Sequence, residues 1–471
     1  MTTSTAASTA ATPGASARSD TVFPQRPTTA AEVSDLDRAH VFHSWSAQDE
    51  IDPLPVATGD GASFTDYEGN EYLDFGSQLV YVNLGHRHPR LIRAIKDQAE
   101  TLPTIAPAFA NDVRSQLATM IAQVAPGNLN HVFFTNGGAD ANENAVRMAR
   151  AVTGRRKVMS AYRSYHGATA TAISLTGDPR RWSNEPGDSS VVHFFGPYLY
   201  RSVWNAETAE AETASALNAL EQQIILEGPD TIAAVILETV VGTNGILVPP
   251  PGFLVGVREL CTKYGIMYIA DEVMAGFGRT GQWFAVDNWD IEPDLITFAK
   301  GVNSGYVPLG GVVVSDAIRD FYAHRSFGGG LTYSGHPLAC AVAVESMKTF
   351  VDEGILERVR DLGERVVAPR LAAMKEKHAV VGDVRGLGLF WAVELVKDAQ
   401  TREPLVPFNA AGESNTPMAE FTRLCQAGGV WPWTHFNGVH IGPPLVISEE
   451  DLVRGLDVID AALGELDRYA V

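Results

Sequence analysis

The sequence predicts an α/β fold built on a mainly parallel sheet, with a smaller α+β part at the C-terminal end. Short apolar runs at 131–134, 157–161, 232–237, 266–270, 295–299 and 311–314 alternate with longer helical stretches such as 140–151 and 252–264. Runs with polar ends and no internal alternation suit strands buried on both faces, and helices between them cover those faces. After Pro337 the pattern changes. Long helical periodicities at 337–353 and 357–378 precede two short strands near 388–394 and 439–441, and an amphipathic helix runs from Asp451 to the end.

Earlier elements follow the same logic. Tyr67 to Phe75 carries aromatic residues on either side of Gly69-Asn70, which reads as a hairpin. From Pro89 to Leu102, Leu91, Ile92, Ile95 and Ala99 share one helical face. The first 35 residues are rich in Ala, Thr and Ser without apolar periodicity, which predicts a disordered tail. Residues 36–80 are expected to complete a small domain with 346–471, around a large domain at 81–345.

Composition narrows the function. The chain has 471 residues, 45% hydrophobic and 20% charged, with a formal net charge of −20. Such a surface repels nucleic acid and anionic lipid, so neither is an expected partner. No apolar stretch is long enough to span a bilayer. Cys261, Cys340 and Cys425 are scattered and form no Cys-x-x-Cys pair, so neither a disulfide framework nor a metal site is expected. Without a secretory pattern, a cytoplasmic location is expected.

The segment Asp294-Leu295-Ile296-Thr297-Phe298-Ala299-Lys300-Gly301 delivers one lysine to the end of a buried run. Placing a strongly hydrated charge there costs free energy. The amine either snorkels to the surface or serves as a nucleophile toward a carbonyl. In Thr135-Asn136-Gly137-Gly138-Ala139-Asp140 a strand gives way to a helix through glycines. That is either a phosphate cradle or a helix start capped by its own carboxylates. Tyr165-His166-Gly167 offers an aromatic face beside a glycine, for a planar ligand or for core packing. Asp271 ends the run 266–270, where an open α/β sheet binds ligands. Gly276-Phe277-Gly278-Arg279-Thr280-Gly281 matches the dinucleotide fingerprint, but no capped helix follows it. Asp290, Glu292 and Asp294 also come too early for a ribose partner, which argues against NAD. The loop Gly328-Gly329-Gly330-Leu331-Thr332-Tyr333-Ser334-Gly335-His336-Pro337 suits a phosphate oxygen or a plain surface turn.

In this order, over residues 60–456, these motifs resemble the class III (ω-amino acid) aminotransferases of pyridoxal phosphate (PLP) fold type I. The resemblance implies a seven-stranded-type sheet and PLP as cofactor. Lys300 would bond the cofactor and shuttle protons, and Asp271 would pair with its ring nitrogen. Tyr165 and Val273 would sandwich the ring, with His166 beside it. Backbone N–H groups of Gly138 and Ala139 would hold the phosphate, and Glu238 would lie on the hydroxyl side. Thr332 would reach the phosphate from a partner subunit, which implies a homodimer with shared sites, or a tetramer built from it. The activity implied is amino transfer from an ω-amino acid or amine to a 2-oxo acid such as pyruvate or 2-oxoglutarate. An aminomutase or lyase on the same scaffold is the alternative.

The chain departs from the family in three places. Gly137-Gly138-Ala139-Asp140 replaces the usual Ser-Gly-Ser-Glu, so a serine hydroxyl is missing at Ala139. Glu238 is followed by Thr239-Val240-Val241-Gly242 in place of Pro-Val-Gln-Gly. The stretch from Val430 to Leu445 lacks the arginine that many relatives use to clamp a substrate carboxylate. Leu79, Val80, Trp433 and His435 are the expected pocket residues, with Arg163 as a substitute anion anchor and a small Val80 leaving extra room.

Overall fold

The computed structural model describes residues 26–471. It contains two compact units, one formed by residues 26–57 with Thr65–Asn70, the other by Thr58–Phe64 and Glu71–Val471. In the first, Ala30–His40 is a helix. Its start is a capping box: the Thr29 hydroxyl accepts from the Glu32 N–H at 3.3 Å, and the Glu32 carboxylate accepts from the Thr29 N–H at 3.1 Å. The tail predicted for 1–35 is therefore corrected at 30–35, where local capping outweighs a bland composition. The part of that tail at 1–25 lies outside the described residues. The turn at Gly69-Asn70 is tied by Asp66, whose carboxylate accepts from the backbone of Glu68 and Asn70, each at 2.9 Å.

The second unit is organised by a seven-stranded sheet. Its spatial order is Leu129–Thr135, Gly310–Ser315, Leu295–Phe298, Met267–Asp271, Ile232–Glu238, Lys157–Ala161, Val191–Phe194. The last five are mutually parallel. Gly310–Ser315 runs antiparallel to both of its neighbours. Ile232–Glu238 is buried along its whole length, as strands covered on both faces must be. Helices Gly138–Thr153, Ala209–Glu227 and Phe253–Tyr264 cross between strands. The edge strand Val191–Phe194 is the one the apolar runs did not reveal, because four residues at a sheet edge carry little pattern.

Beyond Pro337 the sequence reading and the structure agree in character and differ in detail. Helix Pro337–Asp352 is followed by a helical run from Ile355 to Lys377 containing a wide turn at Gly363–Val367. An antiparallel sheet takes Val381–Leu387, Phe390–Asp398, Gly438–Ile441 and Trp433–His435 in that order. Val381–Leu387 escaped the sequence reading because Gly382, Asp383, Arg385 and Gly386 break its apolar run. Helix Glu449–Leu466 packs Leu452, Leu456, Ile459 and Leu463 onto a core that includes Phe75, Phe350 and Phe421.

The apparent dinucleotide fingerprint has a structural task. Arg279 is fully buried. Its Nη1 donates to the carbonyls of Leu389 and Pro443 at 3.1 and 2.6 Å, and its Nη2 to Ser77 Oγ and Asn83 Oδ1 at 3.2 and 2.8 Å. One guanidinium thus fastens three distant loops. After Gly281 the chain forms only a short turn of helix at Ala285–Asn288, so no helix N-terminus faces the motif. Replacing Arg279 with Met leaves these acceptors without a donor, and we expect a loss of about 3 kcal/mol of stability, read by urea denaturation.

Candidate active site

Three parallel strands bring polar side chains to one rim of the sheet. Glu238 is paired in register with Asp271, and Asp271 with Thr297. Lys300 follows two residues beyond Phe298, with a left-handed φ of 49°. A lysine held in that region costs of order 1–3 kcal/mol, which the surrounding packing sustains. The rim is the C-terminal end of these strands, where open α/β sheets place ligands.

A cavity of about 250 Å³ opens there. Its lining includes Gly138, Ala139, Tyr165, His166, Glu238, Asp271, Val273 and Lys300. The structure therefore gathers these residues from five segments of the chain. Asn142, Thr243 and Met274, which the sequence reading passed over, line it too.

Asp271 is buried and accepts three hydrogen bonds. Oδ2 takes His166 Nδ1 at 2.7 Å and Asn142 Nδ2 at 2.8 Å, and Oδ1 takes the Val273 N–H at 3.0 Å. The network continues outward. Thr297 Oγ1 donates to Asn142 Oδ1 at 2.8 Å, and His166 Nε2 meets Ser160 Oγ at 3.1 Å. His166 thus bridges the Asp271 carboxylate and the Ser160 hydroxyl through its two ring nitrogens. The Asp271 side chain is thereby fixed in direction. Asn142 carries a signal the sequence reading missed: it is a polar residue on the helix face that also buries Ala141, Ala145, Val146 and Ala149.

Glu238 Oε1 accepts from the Tyr165 N–H at 2.8 Å, and Oε2 from the Gly242 N–H at 2.9 Å. Burial pushes its carboxyl up to about 7, helped by the nearby Asp271 charge and opposed by His166 and these hydrogen bonds. Burial pushes the Lys300 amine the other way, down to about 8, against the pull of Glu238 and Asp271. At the mouth of helix Gly138–Thr153 the backbone approaches closely. A Cβ at Gly138 would lie 2.7 Å from a Val273 methyl, so only glycine fits.

The remaining expected residues lie outside this lining. Thr332 is exposed on the loop that Ser334 ties to the Phe134 carbonyl at 2.8 Å. Leu79 is exposed, whereas Val80 is buried with Val240, Ile246, Ala275 and Phe390. The small Val80 thus fills an apolar cluster and opens no room in the cavity. Arg163 rests against Tyr198 and Phe408, its Cζ 5.2 and 5.5 Å from the ring centres, and lines a neighbouring cavity. Trp433 packs on His440 at 4.3 Å, and His435 on Phe436 at 3.9 Å between centroids.

These residues suit pyridoxal phosphate. A fixed acid, an amine whose pKa burial lowers, the first residues of a helix, a tyrosine and a valine line one cavity. The fold and the site together define a PLP enzyme of fold type I. The aminotransferase class-III family model matches residues 45–463. The chain is 33% identical over 467 residues to the taurine–pyruvate aminotransferase of Rhodobacter capsulatus, covering 93% of this chain and 98% of that one. It is 38% identical over 360 residues to the putrescine–pyruvate aminotransferase of Pseudomonas aeruginosa, covering 74% and 78%. The solved structure of the taurine:2-oxoglutarate aminotransferase of Bifidobacterium kashiwanohense, in complex with PLP and glutamate, superposes with a TM-score of 0.91. The two share 43% identity over 94% of this chain and 99% of that one. The chain belongs to the class III aminotransferases and is a PLP-dependent transaminase.

Asn142→Ala removes one donor to Asp271 and the acceptor of Thr297. We expect a loss of about 1–3 kcal/mol in chemical denaturation and weaker retention of PLP on dialysis.

Proposed function

We propose that this transaminase moves the amino group of an ω-amino acid or amine, of the taurine, β-alanine or 4-aminobutyrate kind, to pyruvate or 2-oxoglutarate. The observation that carries the reading is the convergence of Lys300, Asp271 and Glu238 on one cavity at the strand ends. The donors and acceptors named for the similar proteins point the same way.

PLP, when bound, supplies an electrophilic aldehyde and a ring that accepts electrons. The chain's own residues do the rest. Lys300 would provide the amine that bonds the cofactor and would carry a proton to and from the substrate carbon. Asp271, oriented by His166, Asn142 and the Val273 N–H, would hold the proton of the ring nitrogen. Tyr165 and Val273 would hold the ring between them. Glu238, its carboxyl fixed by the Tyr165 and Gly242 N–H groups, would serve the hydroxyl side. The Gly138 and Ala139 N–H groups, at a helix N-terminus, would hold the phosphate without a serine hydroxyl at 139.

The exposure of Thr332 supports its service to a second subunit, and we read the enzyme as a homodimer with shared sites, or a tetramer of such dimers. The division into a large part at 81–345 and a small part built from 36–80 and 346–471 belongs to the same reading. Among the described residues no helix is long and apolar enough to cross a membrane, and we place the enzyme in the cytoplasm.

A donor panel tested with pyruvate and with 2-oxoglutarate, scored by the amino acid formed, decides the substrates. Release of the matching carbonyl product separates amino transfer from mutase or lyase chemistry. Lys300→Ala is expected to lower turnover at least about a thousandfold. In the apoprotein only the neutral amine attacks an aldehyde. With its pKa near 8, the neutral fraction rises from about one tenth at pH 7 to about nine tenths at pH 9. The rate at which Lys300 captures added PLP, read by the visible absorbance band, should therefore rise about tenfold over that interval and then level off. An unshifted lysine would keep gaining to above pH 10.

A further inference from the structure

The stretch from Val430 to Leu445 supplies no guanidinium for a substrate anion, but another segment does. Arg180 begins its side chain in the short helix Pro179–Asn184, just behind the capping residue Asp178. Its Cζ lies 3.7 Å from the centre of the Tyr165 ring, and Tyr165 lines the PLP cavity. Stacking at that distance on an aromatic face fixes the plane of the guanidinium.

The arginine is also held from behind. Asp178 is 2% exposed. Arg180 Nε donates to Asp178 Oδ1 and Oδ2 at 3.1 and 3.0 Å, and Nη2 donates to Oδ2 as well. Asn244 Nδ2 donates to the same Oδ2 at 3.1 Å, and the Arg180 N–H to Oδ1 at 2.9 Å. This commits one edge of the guanidinium and leaves Nη1 unengaged among the described residues. The side chain remains 23% exposed.

The Arg180 charge reaches Lys300 and opposes protonation of its amine. It also reaches His435, which burial first, and Arg180 second, drives down to about 4, so the imidazole is neutral. His435 Nε2 is buried and has no hydrogen-bond partner among the described residues. Arg180 thus presents a pre-oriented cation, with one edge free, stacked on a residue that forms a wall of the PLP cavity. Arg163 lacks this stack on a wall of the PLP cavity: its guanidinium rests on Tyr198 and Phe408.

We propose that Arg180 is the substrate-anion anchor of this enzyme, binding the carboxylate or sulfonate end of donor and acceptor through its Nη1 edge. This deepens the function proposed above and rests on it. Carboxylate and sulfonate share the chemistry of planar or tripodal anionic oxygens, and the experiment separates them.

The test uses PLP-loaded enzyme and amine-free anions, with an amine that lacks an anionic end as control, so that it does not depend on knowing the donor. Binding of propionate and of ethanesulfonate is titrated by calorimetry or by the shift of the cofactor absorbance, with propylamine as the uncharged-end control. In Arg180→Leu we expect at least about a tenfold loss of anion affinity relative to the loss for propylamine, with Arg180→Lys in between. The probe losing more affinity identifies the preferred anion. Unchanged anion binding in Arg180→Leu, or equal losses for anions and propylamine, would overturn the assignment, the latter showing that Arg180 only props Tyr165. Should Arg180→Leu not fold, Arg180→Lys must still weaken anions more than propylamine. Loss of PLP from unaltered enzyme, or its failure to react with any amine, would instead count against the proposed function.

Discussion

Two carboxyl groups, Glu238 and Asp271, end neighbouring parallel strands in register, and the architecture around them is a response to that arrangement. Acids buried side by side repel and lose hydration, so each needs donors of its own. Asp271 receives an imidazole, an amide and a backbone N–H, whereas Glu238 receives two backbone N–H groups. The unequal supply separates their behaviour. Asp271 has polar side-chain support suited to facing a positive ring nitrogen, while burial leaves Glu238 poised near neutrality. Lys300 completes the trio from the next strand, its amine weakened by the same dry surroundings.

Much of this was legible in the chain. Lys300 at the end of an apolar run, Asp271 at the end of another, and glycines ahead of a helix each follow from where polarity interrupts a buried segment. Their ordered combination identified the family, and with it the residues that line the cavity. The parallel sheet was visible because its strands are nearly all apolar. What failed to show had a common cause. Asn142, Ser160 and Thr297 matter through partners more than a hundred residues away or through a shared histidine, and a local pattern holds no trace of such contacts. Val80 read as a pocket wall because the family uses the position so, whereas here the side chain turns into an apolar cluster.

The fingerprint at 276–281 makes the same point from the other side. Its glycines satisfy a phosphate-binding pattern, yet the residue between them, Arg279, spends its donors on carbonyls and side chains of loops at 77–83, 389 and 443. A motif names a backbone shape, and only the following element decides its use. Arg180 is the converse case. Nothing local distinguishes it in Asp178-Pro179-Arg180-Arg181, and its meaning comes from the ring it lies on.

The reversed strand Gly310–Ser315 has a consequence for how such a site can vary. Gly310 and Gly311 sit between Thr135 and Phe134 on one side and Phe298 on the other, so this single strand separates the glycine turn at 137–138 from the lysine at 300. A Cβ on Gly310 would come within 2.7 Å of the Gly137 carbonyl, and one on Gly311 within 2.4 Å of the Phe298 ring. These two positions act as a gauge block. The backbone ladder sets the gap across this strand at two interstrand spacings, roughly 9.6 Å, and the missing side chains let the Gly137 carbonyl and the Phe298 ring pack against it. Distant walls are free to diverge toward new amines, while a single added methyl here would throw the whole enzyme out of calibration.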